Sequence, residues 1–145
     1  MVLVRLKTNT LVSKIAFRLI RSFKNRAVAS TIGKTIHLHN ITPEDFVQRQ
    51  AFLRHELQHA IQYQTIRFFA LKYIWQTLRH GYFNNPYEIE AREKSVQEYP
   101  KGYIVYDDDL FVIKKLDFPF IDPTVEFINH YYKTNFKKYP KVIVK

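Results

Sequence analysis

The sequence predicts one α+β domain, and three observations predict it. A chain of 145 residues suffices for one buried core and is too short for a second independent domain, so residues 1–145 are read as one unit. The segment Ala27–Asn40 (AVASTIGKTIHLHN) repeats with a period of two and is rich in β-branched residues, whereas the stretches after Pro43 and after Pro86 recur at helical spacing. With 46% apolar and 16% aromatic residues, the chain carries the material of a packed core.

In chain order, Leu11, Val12, Ile15, Ala16, Leu19, Ile20 and Phe23 recur at helical spacing with bases on the opposite face, which predicts a basic amphipathic helix over about 11–24. Ala27–Asn40 predicts a hairpin or two short strands punctuated by Gly33. Alternation assigns Ile32, Ile36 and Leu38 to one face and Thr35, His37 and His39 to the other. Thr42 is a fitting N-cap, Pro43 a first helical residue, and Glu44 and Asp45 favour the first turn, so a long helix is expected over about 43–63. A second helix, with Phe68, Phe69, Leu71, Tyr73, Ile74 and Trp75, runs from Thr65 or Arg67 to Leu78 and ends at Gly81. Asn84-Asn85-Pro86 forms a turn that opens a third helix over about 87–98. Strands are expected at Gly102–Tyr106, Leu110–Lys114 and Val142–Val144, with an acidic turn at Asp107–Asp109 and a helix over Pro123–Tyr132.

The net charge of +10 belongs to the ends. Residues 1–26 hold seven bases and residues 133–145 five, with no acid in either segment. The centre is close to neutral, so phosphate binding is not its main signal. The apolar stretch near the N-terminus is interrupted by Lys14, Arg18 and Arg21 and lacks a small-residue cleavage site. No run of 18 apolar residues is present to span a bilayer. The expected location is cytoplasmic, with signal-independent export as the alternative.

The chain has no cysteine, which excludes disulfides, a thiol nucleophile and Cys-type zinc sites, and leaves His, Asp and Glu as metal ligands. Within the long helix stands His55-Glu56-Leu57-Gln58-His59. Histidines at i and i+4 share one helix face, so both imidazoles can reach one ion, and Glu56 sits where its carboxylate can take a proton from a water on that ion. Two histidines leave a tetrahedral zinc one ligand short of the usual catalytic three. The segment Asn85-Pro86-Tyr87-Glu88-Ile89-Glu90-Ala91 offers two carboxylates, Glu88 and Glu90, and a small residue for close helix packing. His37 and His39 share a strand face, where exposed histidines are common without a metal.

HELQHAIQ followed by GYFNNPYEIEA resembles the gluzincin-type zinc metallopeptidases, in particular small bacterial metallopeptidase domains with an HExxHxxQ motif and an NPxExEA-like helix. The resemblance covers roughly Ala27 to Ser95. It implies a minimal zincin-like fold, one Zn2+ per chain, the metal ligands His55, His59 and Glu88, with Glu90 as the substitute third ligand, and Glu56 as the general base of peptide-bond hydrolysis. The family pattern puts a small residue at Ala91 and an Asp at Arg92. The carboxylate that would orient a ligating histidine is therefore missing, and its role falls to another group. Gln62 fits the motif, which assigns it no mechanism; a helix-facing hydrogen bond is its expected role. Tyr82, Tyr87, His80, His130 and Tyr131 are the candidate donors to substrate or oxyanion. In such enzymes an edge strand before the zinc helix pairs with an extended peptide or protein substrate, and Lys34–His39 stands in that position. The competing reading is a non-catalytic zinc-containing protein that binds nucleic acid or an anionic surface through its basic ends.

Overall fold

The computed structural model describes residues 2–12, 14–15, 26–97, 102–114, 125–138 and 140–145. Its strands are β1 (Val2–Thr8), β2 (Val28–Ile32), β3 (Thr35–His39), β4 (Tyr103–Tyr106), β5 (Leu110–Ile113) and β6 (Lys141–Val144). Its helices are α1 (Pro43–Gln48), α2 (Gln50–Thr65), α3 (Phe69–His80), α4 (Pro86–Ser95) and α5 (Val125–Tyr132). The α+β class is as expected: the strands form one mixed sheet in the order β2-β3-β1-β4-β5-β6.

Alternation sorts the side chains onto two sheet faces. Val4, Leu6, Ile36, Leu38, Val105 and Val112 point to one face, where they meet Phe46 and Val47 of α1 and Leu53, Leu57 and Ala60 of α2. Ile104, Phe111 and Ile113 point to the other, against Ile128 of α5 and Phe136. Leu57 is fully buried in the larger cluster. Leu57→Ala is expected to lower stability by about 2–5 kcal/mol through lost transfer energy and a residual cavity, measured by urea unfolding.

Strand β1 lies in the middle of the sheet, parallel to both β3 and β4. Its burial alternates, with Val2, Val4 and Leu6 buried, but the sequence Val2-Leu3-Val4-Arg5-Leu6 does not alternate in polarity and carries no such signal by itself. The predicted helix over 11–24 falls largely outside the described residues; Leu11, Val12, Lys14 and Ile15 are helical.

Three expectations need correction. The two-residue connection at Gly33, whose φ is +61°, pairs Ile32 with Thr35 and Thr31 with Ile36. An even-length turn exchanges odd for even positions between the strands, so Thr31 shares the core face with Ile36 and Leu38, and Ile32 is exposed. Strand β3, expected at an edge, is paired to both β2 and β1; the edges of the sheet are β2 and β6. The helix over 43–63 is divided at Arg49 (φ −82°, ψ 82°). The Thr42 cap is present, its hydroxyl accepting from the Asp45 amide at 3.1 Å. The carbonyl of Val47, near the break, accepts from Lys145 Nζ at 2.8 Å.

The basic C-terminal segment is thus built into the domain. Lys141–Val144 pairs with β5, Lys138 meets Asp109 at 2.6 Å, and Lys145 binds α1. At the other end Arg5 meets Asp108 at 2.6 Å. Among the described residues, no helix is long and apolar enough to cross a membrane.

Candidate metal centre

One helix supplies two donors and a second helix the third. On α2 the i, i+4 spacing brings His55 and His59 together, with their Nε2 atoms 3.2 Å apart. Helix α4 starts at Pro86 behind the fully buried Asn85, whose side chain accepts from the Tyr87 amide at 3.0 Å. The same Asn85 donates to the Tyr73 carbonyl (3.2 Å) and to Thr77 Oγ1 (2.8 Å), so the N-cap of α4 is also a clamp on α3. Ala91, fully buried, fills the position where the sequence called for a small residue. Glu88, in the first turn of α4, places Oε1 at 3.2 Å from His59 Nε2 and Oε2 at 3.3 Å from His55 Nε2.

His55, His59 and Glu88 therefore lie close enough to hold a metal ion. With one donor atom taken from each residue, the three atoms all lie within 4.8 Å of one another, and the two histidines approach different oxygens of the Glu88 carboxylate. Glu88 is 2% exposed, and its Oε2 is buried without a hydrogen bond despite its approach to His55. A buried carboxylate oxygen in that condition is costly unless a cation satisfies it.

The groups behind the donors explain the motif's glutamine and the missing aspartate. Gln62 Nε2 donates to the Tyr87 carbonyl (3.1 Å) and to Glu90 Oε2 (2.8 Å), which fixes the amide so that its Oε1 faces His59 Nδ1 at 2.8 Å. His59 must then carry its proton on Nδ1, leaving the Nε2 lone pair for the ion. Glu90 stands outside the three-donor group, and its other oxygen accepts from Gln58 at 3.1 Å. It does part of the work that Arg92 cannot, while Arg92 itself donates to the Phe83 carbonyl. Gln62→Leu is expected to weaken metal binding by roughly 10–100-fold, read by zinc titration, because it removes the group that sets the His59 tautomer.

Burial alone would lower the His59 pKa, but the hydrogen bond to Glu88 and the charges of Glu56 and Glu88 outweigh it and raise it to about 8 in the metal-free protein. Burial would raise Glu88, yet the His55 and His59 imidazoles set against it and the hydrogen bond from Tyr73 hold it well below the usual carboxylate range. Tyr73 donates to Glu88 Oε1 at 2.5 Å and, raised by burial and by the Glu88 charge, stays neutral. A metal must displace the His59 proton, so apparent zinc affinity is expected to level off above about pH 8 and to fall roughly tenfold per unit below it. Competition titrations at several pH values measure this.

Glu56 lines the same cavity of about 170 Å3, beside the metal donors, Tyr73 and Tyr82. Its Oε2 accepts from the Thr31 hydroxyl at 2.7 Å, a bond from β2 that the sequence reading did not anticipate because it depends on the hairpin register. Burial and the Glu88 charge raise Tyr82 well above the usual phenol range, so its hydroxyl remains a donor. Tyr87 instead packs edge-on to Phe69, with ring centres 5.0 Å apart. His80 is exposed at the end of α3, and His130 and Tyr131 are exposed on α5, which packs on the opposite face of the sheet. His37 Nδ1 pairs with Thr10 Oγ1 at 2.9 Å, and among the described residues the one three-donor group is His55, His59 and Glu88.

Fold and site together define a small α+β domain with a candidate metal centre. Residues 4–67 match the family model described as the eCIS core domain. The match spans β1 to the end of α2, including His55, Glu56, His59 and Gln62, and stops before Glu88. No match was found among curated proteins or among solved structures.

Proposed function

We propose that the protein is a zinc-dependent metallopeptidase in which His55, His59 and Glu88 hold the ion and Glu56 is the general base. The observation that carries this reading is the convergence of three potential metal donors with a second carboxylate, Glu56, outside the donor group but in the same cavity. When bound, the ion supplies Lewis acidity, lowering the pKa of a water and polarising a substrate carbonyl.

The chain's own residues supply the rest. Thr31 holds Glu56 Oε2 and leaves Oε1 to accept the proton of the attacking water and pass it to the leaving amine. Tyr82, a neutral donor on the cavity wall, is the candidate for the developing oxyanion. The edge strand β2 lines the cavity through Ala29–Ile32 and offers its outer backbone groups to an extended peptide. A second cavity of about 320 Å3 shares His55, Glu56 and Tyr82 and is walled by Val28, Ala51 and Phe52, which favours an apolar side chain next to the scissile bond. The test is zinc content and peptide hydrolysis measured together in wild type, Glu56→Gln and Glu88→Ala. Wild type without zinc, even after zinc is supplied, would overturn the reading and favour binding through the basic ends.

A further inference from the structure

Helix α3 has two faces, and the metal centre uses only one. Phe69 is 3% exposed, and both it and Tyr73 line the cavity. On the other side Leu71, Ile74, Trp75 and Leu78 are 68%, 55%, 63% and 77% exposed, with Phe68 at 63% just ahead of them. Their positions, i, i+3, i+4 and i+7, make one stripe on the helix surface. A surface helix ordinarily turns such a stripe inward, and a contiguous patch of this kind marks an interaction site.

The charges beside the stripe identify its occupant. Arg67, Lys72 and Arg79 are all exposed. From Leu57 to Tyr87 the sequence contains no Asp or Glu. A second copy docked face to face would bring these bases together with no acid between Leu57 and Tyr87 to answer them. Nucleic acid would satisfy the bases but not Leu71, Ile74 and Leu78. Large apolar residues including a tryptophan, flanked by bases and free of acids, match the headgroup region of an anionic bilayer, where the stripe enters the acyl boundary and the bases meet lipid phosphates. We propose that α3 lies in the interface of an anionic membrane through Leu71, Ile74, Trp75 and Leu78, with Arg67, Lys72 and Arg79 on the headgroups. The inference is independent of the proposed hydrolysis, since it rests on the face turned away from the cavity.

Trp75 is the chain's single tryptophan, so its emission reports this face alone. The full chain would be titrated with vesicles of phosphatidylcholine, with and without phosphatidylserine, following Trp75 emission and co-sedimentation. The expected result is a blue shift and binding at least about tenfold tighter to the anionic vesicles, weakened by salt. Leu71→Ser with Leu78→Ser should lose about tenfold or more in binding, and Lys72→Glu with Arg79→Glu should remove the preference for phosphatidylserine. These positions are exposed, and unchanged circular dichroism and zinc content would show the variants folded. Absence of a blue shift, or binding unchanged in the Leu71/Leu78 variant, would overturn the proposal, the latter pointing to the basic ends instead. Concentration-dependent dimers in sedimentation equilibrium that disappear in that variant, without vesicle binding, would reassign the stripe to self-association.

Discussion

Glu56→Gln is expected to remove peptide hydrolysis by a factor of roughly 10²–10⁴ or more while leaving about one zinc per chain. The substitution keeps the size of the side chain and a partner for the Thr31 hydroxyl, now 2.7 Å from Glu56 Oε2, so the cavity should keep its shape. What it removes is the capacity to accept a proton. Glu56 is outside the three-donor group, which is why the metal should stay. Elemental analysis and cleavage of a fluorogenic peptide library, performed on the same preparations, separate the two effects. Equal cleavage by both proteins would eliminate Glu56 as the base. Metal retention without cleavage by the wild type would favour a binding protein with an inert site.

Glu88→Ala should have the opposite signature. Zinc should fall from about one per chain to near none after dialysis, and hydrolysis should go with it, because two histidines alone are a weak site. The readout need not involve activity. Zinc at about 100 times its dissociation constant stabilises a folded protein by about 2.7 kcal/mol, so wild type should melt several degrees higher when zinc is added and Glu88→Ala should not respond. In the metal-free variant the Tyr73 hydroxyl and the two imidazoles lose their shared carboxylate, so its baseline stability should also fall. A zinc-dependent melting shift that survives in Glu88→Ala would move the third ligand elsewhere.

The site was more legible in the sequence than the sheet was. His55, Glu56 and His59 declare themselves because a helix converts i, i+4 spacing directly into geometry. Glu88 was a candidate from the capping sequence and the resemblance, and what the sequence did not reveal is that the amides of Gln58 and Gln62 occupy Glu90 while Glu88 faces the two histidines. For Gln62 a helix-facing hydrogen bond could be expected, but its partners, Tyr87 and Glu90, could not, because they lie on a different helix. Thr31 was hidden for a related reason: its direction depends on the parity of a two-residue turn, which an alternation pattern alone does not reveal. The central position of β1 depends on pairing with a strand about a hundred residues away, information that no local window contains.

That pairing also orders events in time. Val2–Arg5 must wait for Tyr103–Tyr106 before both flanks of β1 are closed, and β5 must wait for Lys141–Val144. Contacts of such sequence separation carry a large loop-closure cost and place the chain among slow folders rather than fast helical ones. During synthesis His55, Glu56 and His59 emerge before Glu88, and the sheet beneath them closes later still. A nascent chain therefore carries His55 and His59 without Glu88, and the candidate three-donor group is assembled only as the helical layer is completed.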